Sequence, residues 1–173
     1  MVFNLALIIT KKEAEIVLKS LPGDLMISLD LGKSLSNIKI KENSAVIGTE
    51  EIGFDELKKI KEGACYAVEN SSIKKIAFFS EDTNFYYKLV PTQDWPTFTL
   101  SSTPMHMHTK TSPKRNAESI VGLADIRNCY VLDTCCGLGY TAIISSKKAK
   151  KVFTFEKDKN VLAIAMVNPY SNE

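Results

Sequence analysis

Hydrophobic and polar positions change period several times along the chain, and those changes mark its elements. An apolar opening, Val2 to Ile9, leads into Thr10 and Glu13, the spacing of a capping box. Ala14, Val17, Leu18 and Leu21 then recur at helical intervals, which predicts a helix stopped by Pro22 and Gly23. Strands are expected over 26–31, 37–41 and 44–48. The second alternates Ile38, Lys39, Ile40 and Lys41 at period two, the mark of a half-exposed antiparallel sheet. Phe54, Leu57 and Ile60 stand three apart in a lysine-rich helix ending at Gly63. Further strands are expected over 64–68, 73–79, 85–90 and 97–100. They are separated by Asn70-Ser71-Ser72, by Glu81-Asp82-Thr83-Asn84 and by Pro91.

From Thr103 to Pro113 the apolar period disappears into Thr, Ser, Met, His and Pro, as in a connecting segment. The boundary is therefore expected near 105–112, dividing a domain over 1–108 from one over 109–173. Beyond it helix and strand alternate: helix 113–124, strand 129–133, helix 140–148, strand 152–156, helix 159–167. Such alternation implies right-handed crossovers and a parallel sheet. The expected class is α/β: a small N-terminal α+β domain, followed by the first βαβα part of a Rossmann-like sheet.

Composition narrows the possibilities. In 173 residues, 22 Lys and Arg face 20 Asp and Glu, so a net charge of +2 dictates no polyanionic partner. A hydrophobic content of 45% suits a packed core and excludes collagen-like and disordered classes. No apolar run approaches the ~20 residues that span a bilayer. Lys11 and Lys12 follow the opening apolar run, whereas a secretory leader has its basic residues first. These features place the protein in the cytoplasm, away from membranes. Cys65, Cys129, Cys135 and Cys136 lack the spacing of a disulfide framework and read as reduced thiols.

The segment richest in chemistry runs Val131-Leu132-Asp133-Thr134-Cys135-Cys136-Gly137-Leu138-Gly139-Tyr140-Thr141-Ala142. An apolar strand ends in an acid, a glycine loop turns, and a helix starts, so a ligand can approach backbone where no side chain intervenes. The next strand ends in Glu156, whose carboxylate can accept from both hydroxyls of a ribose. Two cofactor classes fit. Gly137-x-Gly139-x-x-Ala142, with Glu156 19 positions after Gly137, satisfies the dinucleotide fingerprint of an oxidoreductase. Asp133 favours S-adenosylmethionine, whose cationic ammonium and sulfonium an acid complements and whose structure contains no pyrophosphate to repel. A purely structural strand-to-helix turn is the third reading.

Residues 131–143, followed by Phe155-Glu156-Lys157-Asp158, resemble the first two motifs of class I S-adenosylmethionine-dependent methyltransferases. Together with Asn168-Pro169-Tyr170-Ser171 and Met105-His106, the wording is similar, more narrowly, to a set of archaeal-type methyltransferases with a small N-terminal domain. That resemblance implies that Asp133, Cys135, Gly137 and Gly139 form the loop around the methionine part of the cofactor, that Thr134 and Tyr140 also bind the cofactor, and that Glu156 holds the ribose. It implies a methyl acceptor, with RNA favoured, recognised by the N-terminal domain. Cys135 departs from the glycine common at its position. About two strands follow the boundary where the family has five or more, so a C-terminally truncated methyltransferase is expected and no catalytic residue is assigned. Asn168-Pro169-Tyr170 lies after the second strand, too early for the motif of amino-group methyltransferases.

Other clusters read more plainly. His106 and His108 have the spacing of paired metal ligands, but nothing else in the sequence completes a site, so no metal is expected. Lys147, Lys148, Lys150 and Lys151 read as a solvated turn. Lys110, Lys114 and Arg115 are the better placed for a phosphate-bearing substrate. Phe78, Phe79, Phe85, Tyr86, Tyr87, Trp95 and Phe98 concentrate the aromatics, as core packing or as a base-stacking face of an RNA-binding module.

Overall fold

The computed structural model describes residues 7–172, so most of the opening apolar run, 2–6, lies outside the described residues. The chain forms a mixed α/β structure with several antiparallel sheets and one parallel strand pair. Its described residues divide into two compact units between Ala77 and Phe78.

The first unit opens with β1 (Leu7–Ile9) and α1 (Lys11–Lys19). The capping box is formed: the Thr10 N–H donates to Glu13 Oε2 at 3.1 Å. The helix stops before Leu21, which is 86% exposed and belongs to no apolar stripe. Next come β2 (Gly23–Ile27), β3 (Ser36–Ile40), β4 (Ser44–Ile47) and β5 (Glu50–Gly53), an antiparallel sheet in chain order. The pattern of apolar residues does not announce β5, because half of that strand is Glu50 and Glu51. The short α2 (Phe54–Lys58) leads to β6 (Tyr66–Glu69) and β7 (Ser72–Lys75), which pair with β1 in the order β1-β6-β7. Ile9, Val17, Ile38, Ile47, Ile52, Leu57 and Ile60 meet in one core. Each contributes roughly 1.5 to 3 kcal/mol on burial. Ile60 is buried although α2 has already ended, so the expected helical spacing marks a core position without continuing the helix.

The second unit begins with β8 (Ala77–Ser80), β9 (Phe85–Val90), β10 (Thr97–Leu100) and β11 (Thr103–Pro104), an antiparallel meander. The single strand expected over 73–79 is two strands in two sheets, and the division between the units falls just inside the second. The expected boundary at 105–112 lies within the second unit instead. Strand pairing and hydrogen bonds hold that segment down. Thr103 and Pro104 pair with β10, the Met105 N–H donates to the Phe98 carbonyl at 2.9 Å, and the Ser112 hydroxyl donates to Asp94.

After α3 (Pro113–Leu123) come β12 (Tyr130–Asp133), α4 (Tyr140–Ser146), β13 (Lys151–Thr154) and α5 (Lys159–Val167), then one 3₁₀ turn (Pro169–Ser171). Proline opens α3 at its first turn, and the Ser112 hydroxyl accepts the Arg115 N–H. Strands β12 and β13 pair in parallel, with Asp133 opposite Thr154. Among the described residues this pair is the whole of the parallel sheet, with α4 as its crossover. Its side chains Tyr130, Leu132 and Phe153 are exposed, as is Phe155 just after β13.

No helix among the described residues is long and apolar enough to cross a membrane.

Candidate functional site

At the carboxyl ends of β12 and β13 the chain makes two turns that lock together. The Phe155 N–H donates to the Asp133 carbonyl, and the Cys136 N–H donates to the Phe155 carbonyl, both at 2.9 Å. Backbone bonds thus carry the parallel pairing past the strands into the loop. Gly137 and Gly139 adopt φ of +56° and +79°, the left-handed region that costs an L side chain roughly 1 to 2 kcal/mol. Gly139 also starts α4, its N–H closing on the Cys136 carbonyl at 2.8 Å.

Two carboxylates organise this loop. Glu156 Oε2 accepts the Gly137 N–H at 2.9 Å, and its Oε1 accepts the Asp158 N–H at 3.0 Å. Asp133 Oδ1 accepts the Cys135 N–H at 3.2 Å, and its Oδ2 accepts the Thr141 hydroxyl at 2.9 Å. Each carboxylate oxygen has a second lone pair, so both acids retain capacity for a ligand. Thr134 and Cys135 are exposed on the loop, and Cys136 is half-buried. The cysteine standing at a position expected for glycine therefore points no bulk into the packed interior.

Tyr140 differs from its expected neighbours. It is 2% exposed, its hydroxyl donates to the Pro96 carbonyl at 2.5 Å, and it accepts the Asn168 side-chain N–H at 3.0 Å. Its ring lies against Trp95 and His106, with centroids 4.7 and 5.0 Å away. Tyr140 thus holds the loop from beneath.

Several residues that frame the site stand outside the glycine segment. Asn168 is fully buried and ties three points: Tyr140, the Ser171 hydroxyl at 2.7 Å and the Tyr170 N–H at 3.2 Å. Ser171 in turn donates to the Leu138 carbonyl in the loop at 2.8 Å. Asn168-Pro169-Tyr170-Ser171 is therefore a buttress for the glycine loop. Asp158 caps α5 through Asn160 and accepts the Tyr87 hydroxyl at 2.5 Å. Burial, then that carboxylate, holds the Tyr87 phenol above its ordinary pKa.

His106 packs against Phe98 and Tyr140, and Thr97 Oγ1 lies 3.0 Å from its Nδ1. Burial pushes the imidazole pKa down to about 4, so the ring is neutral near pH 7. His108 Nδ1 contacts the His106 carbonyl at 3.3 Å, which ties that ring to the backbone. No three His, Cys, Asp or Glu side chains gather as a metal site among the described residues. The four cysteines are free thiols, and burial, then Glu13, raises the pKa of Cys65.

Three lysines lie over aromatic rings. Lys150 and Lys151 lie over the Tyr130 and Phe153 rings at 5.3 and 4.8 Å, and Lys114 over Trp95 at 5.8 Å. At the opposite, amino end of the parallel pair, Val121, Ile126, Arg127, Asn128 and Lys148 line a depression of about 590 Å³.

No protein-family model matches the chain. Over 172 residues it is 36% identical to the uncharacterized protein MJ1233 of Methanocaldococcus jannaschii, a match that covers 95% of this chain and 58% of the relative. The chain therefore spans less than two thirds of that protein's length, and the similarity extends through both units.

Proposed function

We propose that the loop from Asp133 to Tyr140, with Glu156, binds S-adenosylmethionine, and that the chain is the cofactor-binding part of a class I methyltransferase. On this reading β12, α4, β13 and α5 are the first portion of a Rossmann-like sheet. The observation that carries it is the 2.9 Å bond from the Gly137 N–H to Glu156 Oε2. It brings together, at the carboxyl end of parallel strands, the glycine loop and the acid suited to a ribose, which is where open α/β sheets take nucleotide ligands. Two carboxylates at the loop favour a ligand with a cationic amino acid over one with a pyrophosphate.

Glu156 would share its remaining lone pairs with the ribose hydroxyls, and Asp133 would face the ammonium. Bound cofactor supplies the electrophilic methyl group, and the protein's part is to hold donor and acceptor in line. The acceptor class favoured is RNA, with the N-terminal residues recognising it; this rests on analogy between folds. The same reading assigns the chain to the cytoplasm.

Calorimetric titration tests it. S-adenosylhomocysteine should bind saturably, and Glu156→Ala should weaken binding by roughly 1 to 3 kcal/mol, for the lost charge-assisted hydrogen bonds. A thermal melt of the variant separates that loss from unfolding. Saturable NAD binding without S-adenosylhomocysteine binding would transfer the site to the dinucleotide enzymes. Binding of neither would overturn the cofactor reading.

A further inference from the structure

The His106 ring is held at one end only. Its Nδ1 lies 3.0 Å from Thr97 Oγ1, and the same oxygen accepts the His106 backbone N–H at 3.2 Å. Thr97 is fully buried, and Phe98 and Tyr140 pack against the imidazole. Ring position and ring plane are therefore fixed. The other nitrogen, Nε2, has no hydrogen-bond partner among the described residues. It lies 3.9 Å from the point where a Cβ on Gly137 would stand. The space above Gly137 is thus bordered by a rigid imidazole edge with an unused polar atom. No other atom comes within 4 Å of that point, apart from the residues adjoining Gly137.

The sense of that atom follows from Thr97. Its hydroxyl has one hydrogen to give, and Nδ1 at 3.0 Å is nearer than the Phe98 carbonyl at 3.3 Å. If the hydrogen goes to Nδ1, the ring proton resides on Nε2, which becomes a neutral donor aimed over the loop. A neutral donor suits an acceptor oxygen. It also avoids placing a cation beside the ammonium that Asp133 is suited to bind.

We propose that His106 is a binding residue of the Gly137 loop, its Nε2–H donating to the carboxylate of the ligand's amino-acid portion. This rests on the S-adenosylmethionine reading above and adds a residue to it. His106 thereby divides ligand recognition: Glu156 reads the nucleoside, and His106 reads the amino acid.

The test compares S-adenosylhomocysteine with 5′-methylthioadenosine, which has the same nucleoside and no amino-acid carboxylate. Each is titrated into wild-type chain, His106→Phe and His106→Gln. Phe keeps a flat ring in the stack without the donor, whereas Gln restores an N–H. His106→Phe should weaken S-adenosylhomocysteine about tenfold, leave methylthioadenosine within about twofold, and so erase most of the preference between them. His106→Gln should recover most of it. Near-ultraviolet dichroism of Trp95 shows whether each variant keeps the packed site. Equal preference in wild type and in folded His106→Phe would overturn the role of His106 and leave the cofactor reading intact. Binding of neither ligand by wild-type chain would overturn the cofactor reading, and this proposal with it.

Discussion

His106 sets a pH dependence that separates it from the carboxylates around it. An unfolded histidine titrates near 6.5, while burial holds the folded ring near 4. Protons then bind the unfolded chain first, so this residue's contribution to stability is complete above pH 6.5, declines as pH falls, and is exhausted below about 4. The size is on the order of 3 kcal/mol. Denaturant unfolding between pH 7 and 4 should show wild type losing stability faster than His106→Gln, and parallel curves would contradict it. Asn168 gives a second test at this scale. Because it is fully buried and bonded to Tyr140, Tyr170 and Ser171, Asn168→Ala should cost about 2 kcal/mol in the same assay. Asp133, Gly137 and Glu156 are legible in the sequence, because one turn and one strand-to-strand spacing define them. His106, Tyr87 and Asn168 stand out in the sequence, but their places at the loop do not, since Thr97, Asp158 and Tyr140 lie 9, 71 and 28 positions away and meet them only after folding.

Elements show the same limit in another form. Period and punctuation locate α1, α3, α4, α5, β9, β10, β12 and β13, because each has its own apolar face or cap. They miss β5, where Glu50 and Glu51 hide the strand, and they fuse β7 with β8 because residue period alone does not reveal a change of sheet. They also read β11 as linker, since a two-residue strand has no period to detect. The parallel pair itself yields a test. Leu138 in the loop is fully buried, whereas Leu132 on β12 is 65% exposed. Leu138→Ala should therefore cost about 2 to 5 kcal/mol, for the cavity and lost transfer energy. Leu132→Lys should change stability by less than about 0.5 kcal/mol. Equal costs in thermal or denaturant unfolding would show that the loop is not packed as described.

For the molecule as a whole, the composition shift at 103–113 reads as a connecting segment, and in the structure it is a bonded segment of the second unit. The reason is physical: Ser112, Met105 and Thr103 spend their polar groups on Asp94 and β10, so a stretch without apolar period is still held in place. The second unit thus contributes both the glycine loop and the histidine that borders it. The measurement that tests this most directly is an amide correlation spectrum of the isotope-labelled 173-residue chain, recorded as S-adenosylhomocysteine is added. Saturable shifts are expected at Asp133 to Tyr140, Glu156 and His106, with β2 to β5 unmoved. Shifts centred on the Arg127 and Lys148 depression, or no shifts at millimolar ligand, would contradict it.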